Sequence, residues 1–299
     1  MNPRVQLRVD TEDVHTKSPE FFAGFDITIA TELDFVTNTN INAACRIANR
    51  AFYAAGLHGF YGYIFADLIS HDFVIERAKS NIQTRDQETP TRRILNVTTK
   101  KENDKVIEMV TKRESYSPLL LANSSPLPED VTRLPRKRRQ VTPLLSCLRA
   151  LWEFQKGSGG RAPTFSRADL EFFMQSARDR HQELQLDIET LESRFVQGFI
   201  QNLGSELSPV AAYVGGGLAQ DVINVLSARE QPLQNLLLFD GERSAAPIYS
   251  LHPIIPDPGP FGPGHPGGNP IYIDGASNQS QTPGAAPAQA TGRATSGAA

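Results

Sequence analysis

Residues 4–9 alternate between polar and apolar, with Val5, Leu7 and Val9 on one side, which is the period-two signature of a half-buried strand. Ser18 and Pro19 then open a short predicted helix carrying Phe21, Phe22 and Phe25, with the proline near the first helical position, where its missing N–H costs nothing. The β-branched run DITIA at 26–30 reads as a short buried strand. Behind Asn and Thr residues suited to capping, Ile41, Ala44, Cys45 and Ala48 recur at helical spacing, and AFYAA at 51–55 returns as a strand. Strand, helix and strand with tight joints make a βαβ unit, so parallel pairing and a right-handed crossover are expected there.

Residues 60–66, 71–77, 92–98 and 105–111 look like further strands, some of them antiparallel. Helices are predicted over 143–154, over 166–184 with a Ser166/Asp169 start resembling a capping box, and over 191–203. The clearest helix covers 208–229, capped by Ser208 with Pro209 in its first turn and apolar at Val210, Ala211, Val214, Leu218, Val222 and Val225. Strands at 235–239 and 248–251 close the body. Polar or Pro-rich breaks fall at 79–90 and 123–140, and GSGGRAP at 157–163 reads as a flexible joint.

Composition alters this picture mainly at the carboxyl end. Of 299 residues, 21 are Pro and 22 Gly, and nine of each fall between His252 and Ala299, where only Asp257, Asp274 and Arg293 are charged. Such a segment buries too little apolar surface to offset its ordering entropy, so 252–299 is expected to be disordered. The 30 Lys+Arg against 33 Asp+Glu give a formal charge of −3 and no global field for nucleic acid. No apolar run reaches the ~18–20 residues of a bilayer span. Two cysteines make neither a disulfide framework nor a four-ligand zinc site, and no signal-peptide order opens the sequence, so a reducing intracellular setting is expected.

Candidate chemistry is sparse. Gly157–Gly160 has no strand before it and no Lys-Ser/Thr after it, and Gly215–Gly217 falls inside a predicted helix, so neither reads as a phosphate loop. Three glycines inside a helix each cost about 0.5–1 kcal/mol against Ala, which close packing against a sheet or a partner would offset. The histidines form no spaced ligand pair, and Cys45 and Cys147 lie among apolar residues as inert thiols. Glu32 and Asp34 follow a parallel strand at the edge where open α/β sheets place ligands. A Mg²⁺ or nucleotide contact is weighed against a solvated loop or helix cap, and the cap is preferred. The basic run Arg133, Arg136, Lys137, Arg138 and Arg139 lacks interleaved aromatic residues, so nuclear import or plain solvation is preferred over nucleic-acid binding.

Three stretches go further: MNPRVQLRVDTEDV with SPEFFAGFDITIAT, HGFYGYIFADL, and SELSPVAAYVGGGLAQDVINVLSAREQPLQNLLLFDG. Together they resemble the smaller, cysteine-less subunit family of the SUMO-activating enzyme, within the ThiF/MoeB-like activating enzymes. The resemblance implies an α/β, Rossmann-like, mostly parallel sheet. It divides the chain into a pseudo-adenylation domain at 1–78 and 205–251, a helical insertion at 79–204, and the tail at 252–299. It also implies an accessory subunit of a heterodimer acting in protein sumoylation in the nucleus, with ATP and Mg held by a larger catalytic partner that engages SUMO, and with no membrane or nucleic acid bound.

Adenylating members carry D-N-x-x-x-R before the helix. Aligned through Asn42 and Cys45, those positions here are Leu33, Asp34 and Asn38. Leucine cannot ligate Mg²⁺ and asparagine supplies no guanidinium, so the resemblance implies no catalytic, cofactor-binding or metal residue in this chain. Family members also carry an amino-terminal β-α-β unit before the segment that here begins at Met1, which implies a missing first unit and an uncovered sheet edge prone to aggregation. The corresponding subunit for another modifier such as NEDD8, and a non-enzymatic scaffold on a degenerate nucleotide-binding fold, stand as alternatives.

Overall fold

A computed structural model describes residues 4–79, 86–102 and 105–253. The segment 252–299, expected to be disordered, lies outside the described residues beyond Pro253. Helix α1 (Pro19–Ala23) begins with Pro19 behind Ser18, followed by β1 (Ile27–Thr31), α2 (Phe35–Ile47), β2 (Ala51–His58) and β3 (Tyr61–Asp67). Next come β4 (Ser70–Ala78), β5 (Arg92–Glu102) and β6 (Lys105–Ser115). Helices α3 (Leu119–Ser124), α4 (Glu129–Thr132), α5 (Pro135–Arg138), α6 (Leu144–Gly157), α7 (Arg167–Glu183), α8 (Ser193–Asn202) and α9 (Ser208–Ser227) precede the final strands β7 (Leu236–Asp240) and β8 (Ile248–Tyr249).

The main sheet runs β1-β2-β3-β7-β8, and β4-β6-β5 form a separate three-stranded sheet. β1 and β2 pair in parallel, with Ile27 opposite Ala51, as the βαβ pattern requires. The other three contacts of the main sheet are antiparallel, so the sheet is mixed and not mostly parallel. The reason is local. Gly59, at φ +63, and Phe60 turn β2 straight back into β3, leaving no room for a crossover helix. A Cβ on Gly59 would also lie 1.9 Å from the Asn202 side chain, so glycine is required there twice over.

β2 and β3 are buried on both faces, which explains their unbroken apolar sequence. Phe52, Ala54, Tyr63 and Phe65 face a helical layer that includes Leu148, Trp152, Phe173 and Phe199, while Tyr53, Ala55, Ile64 and Ala66 face Val210, Val214 and Leu218 of α9. Trp152 stacks on Phe35 at 5.3 Å and meets Tyr63 edge-on at 5.7 Å, joining α6 to both α2 and the sheet.

Several expectations need correction. Residues 5–9 form no strand, and Val5, Leu7 and Val9 are exposed, because no neighbouring strand takes up their backbone donors. Phe25 lies outside α1 and is exposed. The break at 123–140 holds the end of α3 and the short helices α4 and α5, with Leu127 buried. The cap of α9 is Leu207, which has no side-chain acceptor, and Ser208 lies inside the first turn and makes no capping bond. Gly217 approaches Ile64 of the sheet, but nothing lies within 4 Å of a Cβ built on Gly215 or Gly216, so the sheet does not account for those two.

A buried carboxylate ties the layers together. Asp67, fully buried at the end of β3, accepts from Arg46 Nη1 at 2.6 and 2.8 Å, from Asn42 Nδ2 at 2.7 Å and from the Ile69 N–H at 3.0 Å. Asn42 Oδ1 in turn accepts the Leu119 N–H, and Arg46 donates to the Tyr116 carbonyl. Removing one partner of such a pair strands the other, so Asp67→Ala is expected to lower stability by about 3 kcal/mol, measured by urea unfolding. An unchanged midpoint would show that the network is not structural.

Candidate functional site

The carboxyl edge of β1 and β2 is where an open α/β sheet offers a helix N-terminus to an anion. Here every donor of the first turn of α2 is already taken. Asp34 caps the helix, its carboxylate accepting from the Val36 N–H at 2.9 Å, the Thr37 N–H at 3.1 Å and the Thr37 hydroxyl. The Phe35 N–H donates to Gln155 Oε1 of α6 at 3.0 Å, and the Asn38 N–H donates to the Asp34 carbonyl. Gly160, at φ +87, is packed against Asp34 so closely that a Cβ there would lie 3.0 Å from its carboxyl carbon. Burial pushes the Asp34 carboxyl up, but the donors from Thr37 and Val36 outweigh it and hold the group below its ordinary value.

The neighbouring positions are equally committed. Leu33 packs against the core. Asn38 is buried and donates its Nδ2–H to the Leu33 carbonyl, while its Oδ1 is buried without a partner. Glu32, at φ +55, accepts the Leu57 N–H at 2.8 Å, and burial raises its carboxyl. The cap reading of Asp34 therefore holds, and Glu32 serves β2. Gln155 and Gly160 were not visible as members of this site, because about 120 residues separate them from α2 and neither belongs to a recognisable pattern.

Cys45 and Cys147 are free, fully buried thiols, and burial raises both. Among the described residues no three His, Cys, Asp or Glu side chains converge as a metal site, and no helix is long and apolar enough to cross a membrane. The basic run lies on and around α5. Arg133 faces Glu129 at 3.8 Å, Lys137 pairs with Asp130 at 2.8 Å and Arg139 faces Asp187 at 3.7 Å. Arg136 is exposed, and Arg138 is half-buried.

α9 presents a second surface. Its one charged residue, Asp221, points inward, accepting the Tyr53 hydroxyl at 2.8 Å and the Leu233 N–H at 2.8 Å. The outward face carries Ala212, Gly216, Ala219, Ile223 and Leu226 in one stripe, with Tyr213 beside it stacked on Phe239 at 4.4 Å. Ile223 is 58% exposed and Leu226 68%. A twenty-residue helix with no charge on its outer side is not built to face water.

No protein-family model matches the chain. It is 32% identical over 258 residues to the DNA damage tolerance protein RHC31 of Saccharomyces cerevisiae, covering 84% of this chain and 72% of that protein. It is 29% identical over 252 residues to the DNA damage tolerance protein rad31 of Schizosaccharomyces pombe, covering 84% and 69%. It is 28% identical over 255 residues to SUMO-activating enzyme subunit 1 of Homo sapiens, covering 85% and 70%. The chain belongs to the family of SUMO-activating enzyme subunit 1 and these yeast proteins. Membership of that family agrees with the resemblance carried by HGFYGYIFADL and by the α9 segment.

Two consequences can be measured. Asp34→Ala removes the cap of α2 and is expected to cost about 1–2 kcal/mol in chemical denaturation; no loss would mean that Gln155 alone satisfies the helix end. His58, at the end of β2, has both ring nitrogens buried without partners, 5.6 Å from the Phe199 ring, and burial lowers it to about 4. As pH falls from 6.5 towards 4 the unfolded chain takes up a proton that the folded chain refuses, so stability is lost across that window. The loss attributable to His58 is expected to be roughly 1–3 kcal/mol, and His58→Phe should flatten that part of the pH profile. An unaltered slope would contradict this.

Proposed function

We propose that this chain is the smaller, non-catalytic subunit of a SUMO-activating enzyme, pairing with a larger subunit that holds ATP and Mg, carries the thioester cysteine and engages SUMO. The observation that carries the reading is the self-filled first turn of α2. A helix end whose donors serve Asp34 and Gln155 has none left for a phosphate, Leu33 supplies no metal ligand and Asn38 supplies no cation. Adenylation chemistry therefore belongs to the partner, and this chain supports it by pairing. The uncharged outer face of α9 is the surface that pairing would cover, and it gives Gly215 and Gly216 the close neighbour that the sheet does not.

On the same reading, the Rossmann-like half consists of 1–78 and 205–251, with 79–204 inserted into it, and the pair works in the nucleus. The outer edge of β1, the first strand of the sheet order, leaves Ile29 exposed.

Mixing the chain with the larger subunit is expected to give a one-to-one complex in sedimentation velocity. Gly216→Trp and Ile223→Glu should each weaken the complex at least about tenfold while leaving the melting temperature of the free chain within a degree or two. Undiminished pairing by both variants would remove α9 from the interface, and failure of the unmodified chain to pair would overturn the reading.

A further inference from the structure

β8 ends the five-stranded sheet, and among the described residues no strand pairs with its outer edge. Leu236 lies opposite Tyr249 and Leu237 opposite Ile248, with the Leu238 N–H donating to the Pro247 carbonyl and the Asn235 N–H to the Tyr249 carbonyl. This register turns the backbone of Pro247 and Tyr249 towards β7, so the N–H and C=O groups of Ile248 and Ser250 face away from the sheet. Ile248 and Ser250 line a cavity of about 1210 Å³, together with Leu233 and Leu237 and with Gln220 and Asn224 of α9. Ile248 is 53% exposed towards it.

We propose that an extended segment of the larger subunit pairs along the outer edge of β8 and seats an apolar side chain against Ile248 and Leu237. The proposal rests on the pairing set out above. An unpaired strand edge is complementary to another extended backbone, whereas a helix has spent its own donors and acceptors and cannot satisfy it. The trough also continues the α9 surface, because Gly217 and Gln220 line it, so a partner covering α9 reaches β8 without a gap. Four carboxylates on the walls, Glu88, Glu129, Asp130 and Asp221, stand against one guanidinium, Arg133, which disfavours an acidic segment. Each carboxylate already has a partner within the chain, so the backbone edge sets the shape of the occupant and charge only narrows its composition.

Hydrogen exchange on the full chain, alone and mixed with the larger subunit, tests this directly. Exchange at Ile248 and Ser250 is expected to slow at least about tenfold in the complex, and Ser250→Pro, which deletes the outward N–H, should weaken pairing about tenfold. The Leu251 N–H, which donates to Asn235 Oδ1 within the chain, reports whether the Ser250→Pro variant keeps its fold. If a complex forms while exchange at Ile248 and Ser250 is unchanged, the strand addition is overturned and the pairing stands. If the unmodified chain forms no complex, the pairing fails and the strand addition fails with it.

Discussion

Helix α2 is held at both ends by carboxylates, and the rest of the domain is arranged around that restraint. Asp34 fixes its amino end through the first-turn donors, and Asp67 fixes its carboxyl half through Asn42 and Arg46. Between those anchors Phe35, Ile41 and Cys45 are buried, which sets the height of the helix above β1 and β2 and gives Trp152 a face to stack on. Because Asp67 is fully buried, its position cannot drift without stranding Arg46, so β3 and the start of α3 are placed by the same group.

The same restraint decides what the domain can do. An unoccupied helix N-terminus at the edge of a parallel strand pair is an anion site by geometry. In this chain the anion is Asp34, covalently part of the helix it serves, and Gln155 and Gly160 pack over it from the helical layer. A phosphate would have to displace a carboxylate that is already hydrogen-bonded three times and pressed against Gly160. The feature that a nucleotide-binding relative would leave open for its substrate is used here for stability. The chain instead offers the uncharged outer face of α9 and, among the described residues, an unpaired edge on β8, surfaces that suit another protein.

Much of the fold was legible because its signals are local. The βαβ start, the apolar strands β2 and β3 and the long helix α9 each declare themselves within one contiguous stretch of sequence. The strand expected near Val5, Leu7 and Val9 failed because a strand depends on a neighbour that alternation alone does not guarantee. The mixed character of the sheet turned on the tight Gly59 turn, which a reading based on the family average passes over. At the site, Asp34 was readable as a cap from its place before the helix. Gln155 and Gly160 were not, since their role comes from tertiary packing between segments about 120 residues apart.

ATP–pyrophosphate exchange in the presence of SUMO, measured for this chain alone, for the larger subunit alone and for the pair, tests the central claim most directly. The account predicts no exchange by this chain alone and exchange by the pair well above that of the larger subunit. Exchange catalysed by this chain alone would contradict it.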